Sequence, residues 1–222
     1  MANGSSYPLY LSFNNIDVVI TKECEELHNF SYEERLQLSS KVEIDFHRGH
    51  PVTWANFWFT ETASMNHVLR RNAYSKLKTL IGTLHSVSEG KVHTVTIYHH
   101  KGAGASTMTR HALWDFRFHP HFPYRCAVVK KIDDDTSEDL LLLSKVGYTV
   151  DGDVPFVSVL ALVEHADDFL FWELRSQVEE QANKLPRSKW PVCVFLYCKD
   201  TQKQYDLSLN RRGNKARGSR LV

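Results

Sequence analysis

Between Thr96 and Phe116 the chain reads TIYHHKGAGASTMTRHALWDF: a β-branched apolar run, a loop of small residues, then a stretch that favours helix. That order suits an anion. Consecutive backbone N–H groups and the start of a helix converge on a phosphate, and glycines let the main chain approach it closely. Laid on the pattern G-x-x-x-x-G-K-[ST], Gly104 takes the last glycine, Ala105 the lysine position and Ser106 that of the magnesium-binding hydroxyl, while His99 replaces the first glycine. Two of the four fixed positions are lost. What remains is a backbone cradle from Gly102 through Ala103, Gly104, Ala105 and Ser106 to Thr107, suited to the phosphates of ATP or GTP. The competing reading is a sharp turn that holds no ligand. Lys101 and Arg110 are nearby cations, though spacing alone aims neither at the terminal phosphates.

A phosphate loop needs a second half-site, an acid at the end of a neighbouring strand that orients a metal. The segment LALVEHADD offers Glu164, followed by His165, Asp167 and Asp168. Ser106 and Glu164 are thus the candidate magnesium ligands, with Asp167 or Asp168 free to cap the next helix instead. Histidine is frequent, yet around His99, His100, His111, His119 and His121 no cysteine or carboxylate recurs at zinc-ligand spacing. Solvated or hydrogen-bonded imidazoles account for them. The four cysteines, Cys24, Cys126, Cys193 and Cys198, lie in or near apolar runs without a C-x-x-C pair, which points to buried, reduced thiols in a cytoplasmic protein and not to a nucleophile.

These residues need a scaffold, and the second half of the chain spells one out. The runs KVHTVTIY, RCAVVKKI, PFVSVLALV and PVCVFLYC read as strands, separated by helices over about Ser106–Arg117, SEDLLLLSKV and DDFLFWELRSQVEEQANKL. This alternation predicts an α/β fold: a mostly parallel sheet with helices on both faces and right-handed crossovers. The acidic cluster from Asp133 to Asp139 is expected to be a solvated cap on the second helix. Ahead of this lies a mainly helical leading segment. Ser31 and Glu34 form a capping-box pattern before Leu36, Leu38, Val42 and Phe46, and Val68, Leu69, Leu77, Leu80, Ile81 and Leu84 recur at mostly helical spacing. Trp54 to Phe59 is dense in aromatics. It is either core or a surface for a partner.

At 222 residues and 42% hydrophobic content the chain can bury roughly 70% of its unfolded surface. Net charge is +1, but residues 211–222 hold five basic residues and no acid, leaving 22 basic against 26 acidic elsewhere. The main body is therefore not a basic nucleic-acid binder; only the tail, which reads as disordered, has the charge to touch RNA or anionic lipid. Residues 1–20 contain no lysine or arginine, and no secretion signal is evident. VPFVSVLALV is too short to span a membrane.

The segments DFHRGHPVTWANFWFTE, AYSKLKTLI, VTIYHHKGAGASTMTRHALWDFR, RCAVVKKI and FVSVLALVEHADD together resemble the central region of the vertebrate sterile alpha motif domain-containing protein 9 family, from about Tyr7 to Leu209. That family also carries a small residue in place of the loop lysine. The resemblance implies a P-loop NTPase-like domain of the signalling-ATPase type over residues 91–209, a leading segment over residues 1–90 that begins with the end of a sirtuin-like region, and a basic tail over residues 210–222. It further implies a cytoplasmic, interferon-linked antiviral context. The family's sterile alpha motif and nucleic-acid-binding domains lie outside this stretch. Its acid after the third strand is normally aspartate, from which Glu164 and His165 depart. YCKD falls where such ATPases keep a polar sensor, making Lys199 or Asp200 a nucleotide sensor or part of a surface turn. A fifth strand and a following helical domain are missing from the pattern, so the chain looks like a fragment, a short isoform or a truncated gene model. The expected function is a nucleotide-binding switch, at most a weak NTPase, acting on neighbouring protein domains. The alternative is a non-enzymatic scaffold with a degenerate loop, using the Trp54–Phe59 aromatics.

Overall fold

The computed structural model describes residues 13–19, 26–63, 71–86, 92–117, 124–145, 157–184 and 191–201. In chain order the elements are β1 (Ile16–Val18), α1 (Tyr32–His47), α2 (Trp54–Ala63), α3 (Arg71–Ser86), β2 (Val92–His99), α4 (Ala105–Phe116), β3 (Tyr124–Val129), α5 (Thr136–Lys145), β4 (Ser158–Val163), α6 (Asp168–Asn183) and β5 (Cys193–Asp200). Cys24, Val68, Leu69, His119, His121 and the basic tail lie outside the described residues.

The five strands form one mixed sheet in the order β1-β3-β4-β5-β2. The four strands read from sequence run parallel, and β4, buried at all six positions, is at the centre, as its unbroken apolar run demands. Side chains alternate between two cores. Cys126, Val128, Leu160, Leu162, Val194 and Leu196 pack under α2, α3 and α4, whereas Ala127, Val129, Val159, Ala161, Phe195 and Tyr197 pack under α5 and α6. The crossover from β2 to β3 therefore passes over β5 and β4 on one face, and the next two connections use the other.

The leading segment contributes an edge strand that sequence did not announce. β1 pairs antiparallel with β3, Ile16 opposite Val129, and the Asn15 carbonyl accepts from Lys130 at 2.8 Å. Here the acidic cluster does more than cap. Asp133 Oδ1 accepts from Asn15 Nδ2 at 2.7 Å and Asp139 Oδ2 from the Asn15 amide at 3.3 Å, so part of the cluster anchors β1.

The aromatic segment resolves as α2 and lies in the core. Trp54, Phe57, Trp58 and Phe59 are all buried, and the Trp54 and Phe57 rings stack on Trp114 of α4 at 6.2 and 5.9 Å between centroids. An exposed aromatic surface for a partner is not what this segment forms. The capping box of α1 is present, with the Ser31 amide donating to Glu34 and the Glu34 amide to Ser31. Its amphipathic pattern is only half realised: Leu38, Val42 and Phe46 pack against the core, but Leu36 is exposed and no side chain of α1 is fully buried.

Candidate functional site

The chain leaves β2 at His99 and turns sharply, the Ala103 amide donating to the His100 carbonyl at 3.0 Å. Gly102 and Gly104 both have positive φ, 77° and 79°, in the left-handed region that costs a side-chain-bearing residue ~1–2 kcal/mol. Space is not the constraint at Gly104, because an added Cβ would meet nothing within 4 Å. Gly104 is the N-cap of α4, and its carbonyl accepts from Met108 at 2.9 Å. The amides of Ala105, Ser106 and Thr107 open the first turn and find no backbone acceptor among the described residues, as helix geometry requires. They are three donors without a main-chain partner.

Their residues border open space. A cavity of about 820 Å³ is lined by the loop from Gly102 to Thr107, by Arg110, by Glu164 and by the segment from Gly49 to Val52. Its size is that of a small-molecule site. Its place follows from topology: the connection after β2 leaves toward one face of the sheet and the one after β4 toward the other, which opens a crevice at the carboxyl end of β5 between them.

Glu164 enters this cavity from the end of β4. Its side chain is only 9% exposed; Oε2 accepts from Arg110 Nη2 at 2.7 Å, and Oε1 is buried without a hydrogen-bond partner. The next residue, His165, has φ 60°, so the backbone is held in a sparsely populated conformation where it delivers this carboxylate. Ser106 and Glu164 both line this cavity, and a hydroxyl with a carboxylate is the oxygen set a hard cation such as magnesium accepts. Arg110 is the residue whose place spacing left open. It stands four residues after Ser106, on the same helix face, with its guanidinium 5.8 Å from the Trp54 ring centroid. The i+4 interval was the signal available.

Other candidates resolve individually. Lys199 Nζ donates to Asp168 Oδ2 and the Tyr197 hydroxyl to Asp168 Oδ1, both at 2.6 Å, so Lys199 is held against α6; Asp200 lines the loop cavity. The hydrogen bond from Lys199, then that from Tyr197, holds the Asp168 carboxyl below the usual carboxylate range. Asp167, not Asp168, is the N-cap, accepting from the Phe169 amide at 2.8 Å. His100 Nδ1 lies 2.9 Å from Thr201 Oγ1, and His111 stacks between Phe57 and Tyr74. Among the described residues no three His, Cys, Asp or Glu gather as a metal cluster. Cys126, Cys193 and Cys198 are free and buried, and burial pushes their thiols up, that of Cys198 to about 12, so none offers a thiolate. No helix among the described residues is long and apolar enough to cross a membrane.

No family model and no solved structure matches the chain. Human sterile alpha motif domain-containing protein 9 is 27% identical over 195 residues, 84% of this chain and 12% of that protein. The human 9-like protein is 30% identical over 160 residues and its mouse counterpart 31% over 157, each covering 69% of this chain and 10% of the relative. The chain spans about a tenth of the length of the curated relatives it matches.

Proposed function

From the premise that the chain is a homologue of the sterile alpha motif domain-containing protein 9 and 9-like proteins, we propose that it is a nucleotide-binding switch module of the P-loop type. The observation that carries this reading is the conjunction at one cavity of unpaired first-turn amides, a hydroxyl, an arginine and a buried carboxylate with one oxygen unsatisfied. Polyphosphate oxygens would accept from the amides of Ala105, Ser106 and Thr107, and Ser106 and Glu164 would hold the magnesium that accompanies ATP or GTP. That cation supplies charge neutralisation between phosphates when bound. Turnover is slow or absent, since no lysine clamps the terminal phosphate and clamping is most of the catalysis in such sites.

Binding at the carboxyl end of β2 and β4 would alter the loops there and so the packing of neighbouring domains in a longer polypeptide. The setting proposed for such a switch is a cytoplasmic antiviral signalling protein, the context that the family resemblance implies. A scaffold without nucleotide is the competing account, but its aromatic surface is buried in α2.

Thermal unfolding of the chain with ATP or GTP, each with and without magnesium, tests the reading. Ligand at about 100 times its dissociation constant stabilises the native state by about 2.7 kcal/mol, an increase visible as a raised midpoint. Gly104→Val, forced into positive φ, distorts the cradle and abolishes the increase. A midpoint that no nucleotide moves contradicts the reading.

A further inference from the structure

The cation and the carboxylate of the cavity are bonded to each other, and that bond bears on how a loop without lysine would grip a polyphosphate. The Arg110–Glu164 ion pair, at 2.7 Å, lines both the loop cavity and an adjoining cavity of about 490 Å³ at the ends of β3 and β4, so the pair is a wall between two open spaces. The Arg110 side chain is 24% exposed and has the face of Trp54 beside it, leaving part of its donor fork toward solvent. Glu164 is far more enclosed, with Oε1 buried and lacking any donor. A buried acceptor without a donor is costly to keep, and in this place a cation would satisfy it.

We propose that Arg110 takes the part of the missing lysine: Glu164 holds it until a polyphosphate takes it over, and the freed carboxylate then receives the ligand's divalent cation, a step that rests on the nucleotide reading above. The charges require the two halves to go together. A polyphosphate that captured Arg110 alone would leave Glu164 buried and uncompensated beside its own negative charge, which is strongly unfavourable. Metal and phosphate therefore bind with positive coupling, each favouring the other by the same factor. Arginine suits the exchange because its planar fork matches carboxylate and phosphate alike.

Equilibrium binding of ATP and of inorganic tripolyphosphate, each with and without magnesium, to the full 222-residue chain tests this. Wild type is expected to bind the magnesium forms at least about tenfold more tightly than the metal-free ones. Glu164→Gln removes the competing charge, so metal-free binding tightens and the metal dependence shrinks to below about threefold. Arg110→Gln alone would leave a buried carboxylate unpaired and endanger folding; the double variant Arg110→Gln/Glu164→Gln keeps the site neutral and hydrogen-bonded, and it is expected to lose at least about tenfold relative to Glu164→Gln with either ligand. Unchanged metal dependence in Glu164→Gln, or a double variant that binds as tightly as Glu164→Gln, overturns the exchange while leaving nucleotide binding intact. No saturable binding by wild type overturns the nucleotide reading, and the exchange with it.

Discussion

Asp115 shows how single residues tie the loop helix to the helices ahead of it. It lies on α4 and accepts from Tyr74 and from Lys78 Nζ, the latter at 2.8 Å, both on α3, with His111 Nε2 of its own helix 3.6 Å away. Burial pushes its carboxyl up, but the hydrogen bonds from Lys78 and Tyr74 and the charges of His111 and Lys78 outweigh this and hold it below the usual range. A depressed folded value means that the stabilisation is fully present above the unfolded value of about 3.9 and is lost as pH falls through the folded one. Asp115→Asn should therefore lower stability at neutral pH by ~1–3 kcal/mol. The gap to wild type should close as pH falls from about 5 toward the folded value, because protonation removes the same interaction from wild type. Urea titrations across that range decide it, and a gap that does not change with pH would remove the ionised carboxylate from the account.

Among the elements, the contact of α2 with α4 matters most for the site, since α4 carries the first-turn amides. Trp114 is 1% exposed, stacked by Trp54 and Phe57, capped by the Arg117 guanidinium 3.4 Å above its ring, and bonded through Nε1 to Glu61 Oε1 at 2.7 Å. Trp114→Ala should cost ~3–5 kcal/mol, read by chemical denaturation. A loss below ~1 kcal/mol would mean that α2 is a loosely attached cover. The parallel strands and their helices were legible in the sequence because each apolar run is bounded by breakers and alternates with a helical period. β1 was not, because three residues, Ile16 to Val18, carry too little pattern, and their pairing is decided by Asn15 meeting Asp133 and Asp139 more than a hundred positions away. The loop was legible through its glycines, and Glu164 through its place after a strand. The Arg110–Glu164 bond was not, since a strand and a helix, β3 and α5, separate its elements in sequence and only the strand order brings α4 over β4.

For the molecule as a whole, one sheet with a helix layer on each face sends the connections after β2 and β4 to opposite faces at its carboxyl edge, and the space between them is the candidate site. Everything assigned to it depends on main-chain amides gripping a polyphosphate where sequence supplies no lysine. Amide resonances of the isotopically labelled chain, followed by NMR during a titration with magnesium ATP, report on those groups directly. The account predicts saturable shifts of the Ala105, Ser106 and Thr107 amides, with the Arg110 guanidinium signal moving along the same isotherm. Saturation of the protein with nucleotide while these amides stay unmoved, or the absence of any saturable shift, would contradict it.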